Sequence, residues 1–354
     1  MWAAPGVNGL RESLDSSTPA VYPVETFQQE NNDMTFESEV KTTDKLSEEL
    51  LESLDKLFGS HPGFRPVHAK GAMCSGTFTP APQAIDLTCA PHVQRESTPV
   101  LMRFSNFAGI PNVADNDPNG AGPRGVAVRF QLAEHVHTDI VGHSHDGFPT
   151  RTGEEFLDLA RALAASGPDA AKPTALDNFF ATHPIAKKFL QAPKPIPVSF
   201  AHESFFAVTA FKFRNKHGLS RFGRFRIIPV AGNKYLDDAA AATRDQNFLF
   251  DELSDRLLRE PIKFRIVVQL AGDGDAISDS TAIWPEERTL HEFGTISLTK
   301  RADDNDPEIR KIIFDPIPRV DGIDPSDDPL IEIRSAIYLL SGRRRRKQAV
   351  EMHG

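Results

Sequence analysis

Apolar and polar residues alternate along several separate stretches of the chain, and between them the apolar spacing changes to three and four residues. The alternating stretches, each typical of a strand, lie at residues 100–107, 124–130, 138–142, 198–232, 261–270 and 295–300. The stretches with helical spacing lie at residues 41–58, 153–190, 235–259 and 326–347. Because strands cluster and helices interrupt them irregularly, the pattern predicts an α+β fold, an antiparallel β-barrel with helices packed outside, and not a βαβ sheet.

The last helix carries the most specific pattern. Ser326, Asp327 and Asp328 offer side-chain oxygens that can cap its N-terminus, and Pro329 suits the first helical position. Its apolar residues, spaced by three and four, are Leu330, Ile333, Ile337 and Leu340. At about 100° per residue, a second stripe contains Arg334, Tyr338, Ser341 and Arg345. The second stripe therefore places a tyrosine one turn from an arginine, with another arginine two turns farther on.

An arginine beside a tyrosine has a chemical use. A guanidinium one turn from a tyrosine favours the phenolate, which is a hard anionic ligand that suits ferric iron. Arg345, farther along the same stripe, is placed to bind a carboxylate such as a haem propionate. The spacing also fits an amphipathic terminal helix with a buried tyrosine and solvated arginines, so the pattern alone leaves both interpretations open.

Composition limits the classes of function. The chain has 354 residues, of which 40% are hydrophobic and 25% charged, as in globular proteins. Its net charge of −9 argues against a nucleic-acid-binding protein, because phosphate contacts need a basic face. The two cysteines, Cys74 and Cys89, indicate neither a disulfide framework nor a Cys-based zinc site. No apolar run reaches the ~20 residues that span a membrane and no signal peptide is recognisable, so a cytoplasmic location is expected.

The distribution of these patterns predicts three parts. Residues 1–40 are polar and mixed, which favours a loose N-terminal arm. Residues 41–347 carry the strand and helix patterns and form the expected single domain, and residues 348–354 form a C-terminal tail. Phenylalanine occurs 25 times in the chain, against 3 tyrosines and 2 tryptophans, so we expect a Phe-rich core. The basic run 343–347 is either a solvated helix end or an address signal.

Histidines and one strand offer further candidate chemistry. His68 stands in the segment RPVHAKG, although a single histidine is more often structural than catalytic. Arg103 and Ser105 fall on the same face of a predicted strand, which directs a cation and a hydroxyl to one side. Two H-x-H pairs are formed by His135, His137, His143 and His145. Their spacing suits a zinc or non-haem iron site, and hence a zinc hydrolase, although no Cys ligand or HExxH motif accompanies them.

Five stretches carry motifs that follow one another from about residue 60 to residue 347. They are VHAKGAMCSGTF, TPVLMRFSNFAGIPNVADNDPNGAGPRGVAVRF, TDIVGHSHDGFPTRTGEEF, PIKFRIVVQLAGDGDAISDSTAIWPEERTLHEFGTISLTK and DDPLIEIRSAIYLLSGRRR. Together they resemble the catalase superfamily, and more closely its compact branch of catalase-related haem peroxidases than the large catalases. The combination of V-H-A-K-G, R-F-S-N, P-R-G-x-A-V-R-F and R-x-x-x-Y is highly specific. The resemblance implies a catalase-like antiparallel β-barrel with helices outside and a buried haem.

The resemblance also implies a role for each matching residue. His68 would be the acid–base group, and Ser105, in the R-F-S motif, would hold its imidazole in one tautomer. Tyr338 would be the axial ligand of the haem iron, as a tyrosine is in catalases, and Arg334 would stabilise its phenolate. The cofactor implied is haem b with ferric iron. The residues expected to contact it are Arg65, Val67, Arg103, Arg334, Tyr338 and Arg345, with Arg65, Arg103 and Arg345 pairing with its propionates.

One position departs from the large catalases. They carry D-x-V-G-N-N, whose first Asn helps to orient the peroxide, whereas this chain has His143 at that place in the segment DIVGHS. His143 is therefore a third catalytic candidate, and its bulk predicts weak hydrogen peroxide dismutation. The chain also lacks the long C-terminal extension of the large catalases, which favours a more open pocket for bulkier hydroperoxides and organic reductants.

The function that the resemblance implies is that of an oxidoreductase in the oxidative stress response. It would be a haem peroxidase that reduces organic hydroperoxides, and hydrogen peroxide with weak catalase activity, using a small organic electron donor. A second hypothesis is a fatty-acid hydroperoxide isomerase or dehydratase of the allene-oxide-synthase type. Such relatives usually carry Thr next to the histidine, where this chain has Val67 and Ala69. A third is a non-enzymatic haem-binding barrel. No nucleic-acid or membrane partner is expected, and relatives with this core often form homo-oligomers.

Overall fold

The structure is a computed structural model that describes residues 29–304 and 306–353. Its strands are Gly71–Pro80 (β1), Thr98–Ser105 (β2), Gly125–Ala133 (β3), Val136–His143 (β4), Phe205–Phe206 (β5), Phe211–Arg214 (β6), Ser220–Pro229 (β7), Ile262–Leu270 (β8), Leu290–Arg301 (β9) and Ile323–Pro325 (β10). Its α-helices are Gln29–Phe58 (α1), Ala84–Leu87 (α2), Gly153–Ala164 (α3), Ala175–Thr182 (α4), Pro184–Gln191 (α5), Asp238–Ala242 (α6), Phe248–Leu257 (α7), Pro307–Lys311 (α8) and Leu330–His353 (α9).

Eight antiparallel strands close into a barrel. Their order is β7-β5-β4-β3-β2-β1-β9-β8, and the pairing of β8 with β7 completes the circle. The short strands β6 and β10 extend the sheet from β7. The register aligns Gly71, Ser105, Gly125, His143 and Phe206 in one row across five neighbouring strands. This row brings two of the predicted site residues to one level of the barrel wall, and the predicted α+β class with an antiparallel barrel is confirmed.

Aromatic rings fill the barrel interior, as the phenylalanine content predicts. The largest fully buried side chains include Phe78, Phe104 and Phe130, and the Phe78 and Phe130 rings meet edge to face with centroids 5.0 Å apart. Phe104 lies on β2 between Arg103 and Ser105, so its neighbours point to the outer face of the barrel. Alternation along β2 therefore points the aromatic side chain into the barrel interior, and it points Arg103 and Ser105 to the outer face.

Helices α3 and α9, with residues 43–58 of α1, cover part of that outer face. A second apolar cluster joins α1, α3 and α9 and contains Leu50, Leu157, Leu330 and Ile333. Helix α9 begins at Leu330, whose N–H donates to the Asp328 carboxylate over 2.9 Å, so Asp328 supplies the cap. The helix continues to His353, beyond the predicted end at Lys347. Helix α1 ends at Phe58 as predicted, and it is already helical at Gln29, the first described residue, twelve residues before the predicted start.

Contacts divide the chain into two units, residues 1–42 and residues 43–354. Most of the predicted loose arm, residues 1–28, lies outside the described residues, whereas residues 29–40 belong to α1. Most of the predicted tail, residues 348–353, belongs to α9. The predicted division at residues 40 and 347 stays a prediction. In the part of the chain that the structure describes, no helix is both long and apolar enough to cross a membrane.

Candidate active site

A cavity of about 530 Å³ lies against the outer face of β2, β3 and β4, beneath α3, α9 and residues 43–58 of α1. This volume is typical of small-molecule and cofactor sites. The nine residues to which the family resemblance assigns a role all line it: Arg65, Val67, His68, Arg103, Ser105, His143, Arg334, Tyr338 and Arg345. They come from the loop before β1, from two strands and from the last helix, so the fold collects residues that are up to 280 positions apart.

His68 occupies the loop before β1 in a left-handed conformation with φ of 59°, which a non-glycine residue rarely adopts. Its backbone N–H donates to the Phe107 carbonyl over 2.7 Å. Its ring Nδ1 lies 2.9 Å from the Asn106 carbonyl oxygen and 3.2 Å from Ser105 Oγ. Because a carbonyl oxygen only accepts, Nδ1 carries the proton in the neutral ring. The lone pair is therefore on Nε2.

The surroundings keep the His68 ring in place and neutral. A Cβ added to Gly125 would lie 2.6 Å from His68 Nδ1 and 2.5 Å from Ser105 Oγ, so only glycine leaves room for the ring there. The Phe107 ring meets the imidazole edge to face at 5.8 Å. Burial, with the nearby Arg103 charge, lowers the pKa of His68 to about 4. At neutral pH the ring is thus a proton acceptor at Nε2.

His143, at the end of β4, is held in the opposite tautomer. Its Nδ1 accepts a hydrogen bond from the His145 backbone N–H over 3.3 Å, which places the proton of the neutral ring on Nε2. That Nε2 is buried and has no hydrogen-bond partner among the described residues. Burial, followed by the charges of Arg334 and His68, lowers the pKa of His143 to about 3. The cavity is therefore lined by one imidazole that accepts and one that donates.

Tyr338 and Arg334 meet as the helical spacing predicts. Arg334 Nη2 lies 3.5 Å from the Tyr338 hydroxyl, and the guanidinium carbon lies 5.9 Å from the centroid of the phenol ring. The other guanidinium nitrogen, Nη1, donates to Thr209 Oγ1 over 3.2 Å. Arg334 is thus anchored to the chain before β6 while it stays in contact with the tyrosine oxygen.

The other three arginines of the cavity are bound by backbone carbonyls. The acceptors for Arg65, Arg103 and Arg345 are the carbonyl oxygens of Ile312 at 3.1 Å, His68 at 2.9 Å and Arg310 at 2.8 Å. Burial lowers the pKa of each guanidinium, and the neighbouring Arg103 and Arg345 charges lower that of Arg65 further. Arg345 Nε is buried without a partner among the described residues. Buried like charges of this kind favour a ligand that carries carboxylates.

These features test whether haem fits the site. The walls are apolar, with Leu54, Phe156 and Ile333 among them. A phenol oxygen offers an anionic ligand to iron, and three arginines without carboxylate partners match two propionates. The residues present therefore fit haem, which combines a flat apolar body, a metal ion and two carboxylates.

The four histidines with H-x-H spacing do not come together. His135 lies in a turn with its side chain 92% exposed, whereas His143 lines the cavity. Within the described ranges, no group of three or more His, Cys, Asp or Glu residues is arranged to hold a metal ion. The zinc interpretation thus has no support in the structure.

The site also contains residues that the sequence analysis did not single out. Asn106 supplies the carbonyl that orients His68, and Gly125 makes room for its ring. Both stand inside the quoted motifs R-F-S-N and P-R-G-x-A-V-R-F, so the motifs contained a signal for them. Thr209, the partner of Arg334, stands in no motif. Lys194, which also lines the cavity, has no sequence signal either.

Comparison with known proteins shows which family the chain belongs to. Residues 30–351 match the family model described as Catalase. The chain is 35% identical to a catalase-related peroxidase of Mycolicibacterium paratuberculosis over 286 residues, which cover 80% of this chain and 89% of that protein. The chain belongs to the catalase family. A catalase-related peroxidase of Synechococcus elongatus is 30% identical, over 84% of this chain and 88% of its own length. The predicted membership of the compact branch is confirmed.

Solved structures confirm the catalase-like fold. A fungal catalase matches with a TM-score of 0.71 and 18% identity, over 95% of this chain and 66% of its own. Catalase A from Saccharomyces cerevisiae matches with the same TM-score and identity, over 96% of this chain and 69% of its own. Membership of this family makes the chain an oxidoreductase of the peroxidase or catalase type. Catalase family proteins depend on haem, and their chemistry involves hydrogen peroxide.

Proposed function

We propose that the protein is a haem b peroxidase that reduces organic hydroperoxides, and more slowly hydrogen peroxide, with electrons from a small organic donor. The observation that carries this proposal is the cavity in which an accepting His68 and a donating His143 accompany the pair of Arg334 and Tyr338. The catalase-related peroxidases to which the chain is 35% and 30% identical support the same activity.

The residues that would hold haem divide by chemistry. Tyr338 would ligate the iron with Arg334 beside its oxygen, while Val67 would contact the porphyrin. The propionates would pair with Arg65, Arg103 and Arg345. These three arginines donate to backbone carbonyls, and none of them is hydrogen-bonded to a carboxylate among the described residues. Haem bound there supplies a ferric iron that activates the peroxide O–O bond and stores oxidising equivalents for the donor.

The proton transfers fall to His68. In the overall reaction, ROOH takes two electrons and two protons and becomes ROH and water. His68 Nε2 takes the hydroperoxide proton and returns a proton to the departing oxygen, so that the O–O bond breaks to a neutral alcohol. The Asn106 carbonyl and Ser105 keep the Nδ1 side of the ring fixed during both transfers.

His143 would complete the environment of the peroxide. Its Nε2–H donor has no partner among the described residues, and an unpaired buried donor costs about 1–3 kcal/mol. A peroxide oxygen bound beside the ring would satisfy this donor. Because the imidazole is larger than the amide found at this place in large catalases, we propose that it restricts the second peroxide that dismutation requires.

Two experiments test the proposal. Purified protein with haem is expected to show the Soret band of a tyrosine-ligated ferric haem, and Tyr338→Phe is expected to shift or abolish that band. His68→Ala is expected to retain haem but to lose at least ~100-fold in the rate with an organic hydroperoxide and a chromogenic donor. A His68→Ala enzyme at the wild-type rate would refute the proton-transfer role.

The same assays separate the alternatives. A hydroperoxide isomerase consumes a fatty-acid hydroperoxide when no donor is present, whereas a peroxidase stalls after the first turnover. A haem-binding barrel without activity shows the Soret band and no turnover with any peroxide. The peroxidase is favoured because Val67 and Ala69 flank His68, where isomerases of this superfamily usually carry Thr.

A further inference from the structure

One edge of the cavity is covered by a short segment that arginine side chains hold in place. Residues 307–313, which we call the strap, consist of α8 and the two residues that follow it, Ile312 and Ile313. Ile313 lines the cavity, whereas none of the five residues of α8 is buried. Segments with few buried apolar contacts open locally at a low cost in free energy. The strap is therefore the part of the cavity wall that opens most easily, because a closed barrel and packed helices form the rest.

Four consecutive carbonyl oxygens of the strap accept hydrogen bonds from four different arginines. The carbonyls of residues 310, 311, 312 and 313 accept, in this order, from Arg345 at 2.8 Å, Arg346 at 3.1 Å, Arg65 at 3.1 Å and Arg129. Arg65 and Arg345 also line the cavity, where they are the proposed partners of the haem propionates. The same two guanidinium groups thus contact both the strap and the place expected for the propionates.

Two further contacts determine how the strap can move. The Ile313 side chain fills the space beside Gly342 of α9, where an added Cβ would lie 2.1 Å from Ile313 Cδ1. Just after the strap, the Asp315 N–H donates to the Asp139 carboxylate over 2.9 Å, and the Ser335 hydroxyl donates to Asp315 over 2.8 Å. Asp315 is therefore fixed to the barrel wall and to α9. Movement is confined to the residues before it, and it has to break the arginine contacts and lift Ile313 away from Gly342.

The charges around the strap work against its closure. Burial, followed by the charges of Arg346 and Arg310, lowers the pKa of Arg345 to about 10. Arg310 belongs to the strap, so its charge repels the arginines of the helix that holds the strap. Neither Arg345 nor Arg65 is hydrogen-bonded to a carboxylate among the described residues. Carboxylates bound to these two arginines would offset the repulsion and strengthen the hold on the strap.

We propose that the strap is the gate through which haem enters the cavity, and that bound haem closes it because Arg65 and Arg345 then join the strap carbonyls to the propionates. A carboxylate is costly to move through an apolar interior, so haem enters with its propionates last, and they come to rest on the entry side. By linkage, haem stabilises the closed strap as much as the closed strap favours haem. The inference rests on the haem binding of the proposed function and goes beyond it, since it assigns the route and the moving element.

Hydrogen exchange of the full-length protein, with and without haem, tests the closure. Two strap amides report on it: the Arg310 N–H donates to the Asp306 carbonyl over 3.0 Å, and the Ile312 N–H donates to the Ile309 carbonyl over 3.3 Å. We expect both to exchange at least ~10-fold more slowly in the haem-bound protein. The amides of α4, none of whose residues lines the cavity, are the reference and are expected to change much less. Equal exchange of the strap in the two forms, with a Soret band that shows bound haem, would overturn the inference.

Haem transfer rates test the route. Arg346→Gln removes one contact of the strap, and Arg346 is exposed and does not line the cavity. Opening should therefore become easier by the same factor with and without haem. We expect haem uptake by the apoprotein and haem loss from the holoenzyme to an excess of a haem-scavenging protein each to become about 5-fold faster, with little change in affinity. Arg343→Gln is the matched control, because it removes the same charge from the same helix at an exposed position.

The two rates separate a gate from a simple stabilising contact. If Arg346→Gln speeds haem loss but not uptake, Arg346 only stabilises the holoenzyme and the gate is refuted. Rates equal to those of Arg343→Gln would refute it as well. A wild-type protein that binds no haem would contradict the proposed function itself, whereas normal haem binding at rates that do not depend on the strap would contradict this inference alone.

Discussion

At the scale of single residues, two histidines that line the cavity with opposite tautomers are the main chemical feature of the site. One backbone group determines each proton position: the Asn106 carbonyl accepts from His68 Nδ1, and the His145 N–H donates to His143 Nδ1. Burial lowers the pKa of both rings to about 4 and about 3, so both stay neutral at physiological pH. A proton acceptor and a proton donor are thus present together without a charge.

The role of His143 as a donor can be tested by replacement. His143→Leu removes the Nε2–H and is expected to lower kcat/KM for hydrogen peroxide by about 10-fold, the equivalent of one hydrogen bond of about 1.4 kcal/mol. His143→Asn supplies an amide donor in a smaller side chain and is expected to equal or exceed the wild-type rate. Stopped-flow kinetics of both variants would check these rates, with unchanged haem absorption as the control for an intact site. If His143→Leu were as active as the wild type, the donor role of His143 would be contradicted.

Gly125 offers a second test, of geometry alone. Its missing Cβ leaves room for the His68 ring, and an added methyl would lie 2.6 Å from Nδ1. Gly125→Ala is expected to displace the ring and to reduce the peroxidase rate by up to ~100-fold, as misplaced catalytic groups do. Gly167→Ala is the control, because nothing lies within 4 Å of a Cβ at that position. Equal rates for the two variants would show that the ring position tolerates the shift.

At the scale of elements, helix α9 shows what a sequence can predict. The stripe of Arg334, Tyr338, Ser341 and Arg345 lines the cavity because helical geometry is local and repeats every 3.6 residues. The acceptors of the arginines were not predictable in this way. Arg345 reaches a carbonyl 35 residues away, and Arg334 binds Thr209, 125 residues away. These contacts depend on how the barrel places distant segments, which no local pattern encodes.

The start of α9 is a testable feature of the same element. Asp328, 3% exposed, accepts from the Leu330 N–H and from the Ser280 hydroxyl, so it caps the helix and ties it to the loop before β9. Asp328→Ala is expected to destabilise the protein by about 1–3 kcal/mol, through loss of the cap and of a buried acceptor. Urea unfolding measures this, with the exposed neighbour Asp327→Ala as control. Similar values for both variants would mean that packing alone sets the helix start.

At the scale of the whole molecule, the barrel was predictable as a class but its closure was not. Alternation identifies β8 and β9, yet the pairing of β7 with β8 that closes the circle joins strands with a helical segment between them. β5 has only two residues, Phe205 and Phe206, which is too short for a periodic signal. No sequence pattern predicts that His92 lies in the aromatic core, where its ring stacks on the Phe130 ring with the two centroids 4.7 Å apart.

His92 makes the stability of the whole barrel depend on pH. Burial, with a smaller effect from Arg95, lowers the pKa of His92 from 6.5 to about 3, and its Nδ1 has no partner among the described residues. Between these values the unfolded chain binds a proton that the folded protein does not. The free energy of unfolding therefore falls by about 1.4 kcal/mol for each pH unit below 6.5, and this contribution is fully present above pH 6.5.

Replacing His92 by leucine removes this proton linkage and leaves the active site untouched. We expect the unfolding free energy of His92→Leu, relative to that of the wild type, to rise by about 2 kcal/mol from pH 7.5 to pH 5.0 in urea titrations. Some acid sensitivity should remain, because the lowered pKa values of His68 and His143 act in the same direction. The control is His217→Leu, at an exposed position, whose unfolding free energy is expected to change with pH as that of the wild type does. If the unfolding free energy of His92→Leu fell with decreasing pH as steeply as that of the wild type, the acid sensitivity of the barrel would come from groups outside its aromatic core.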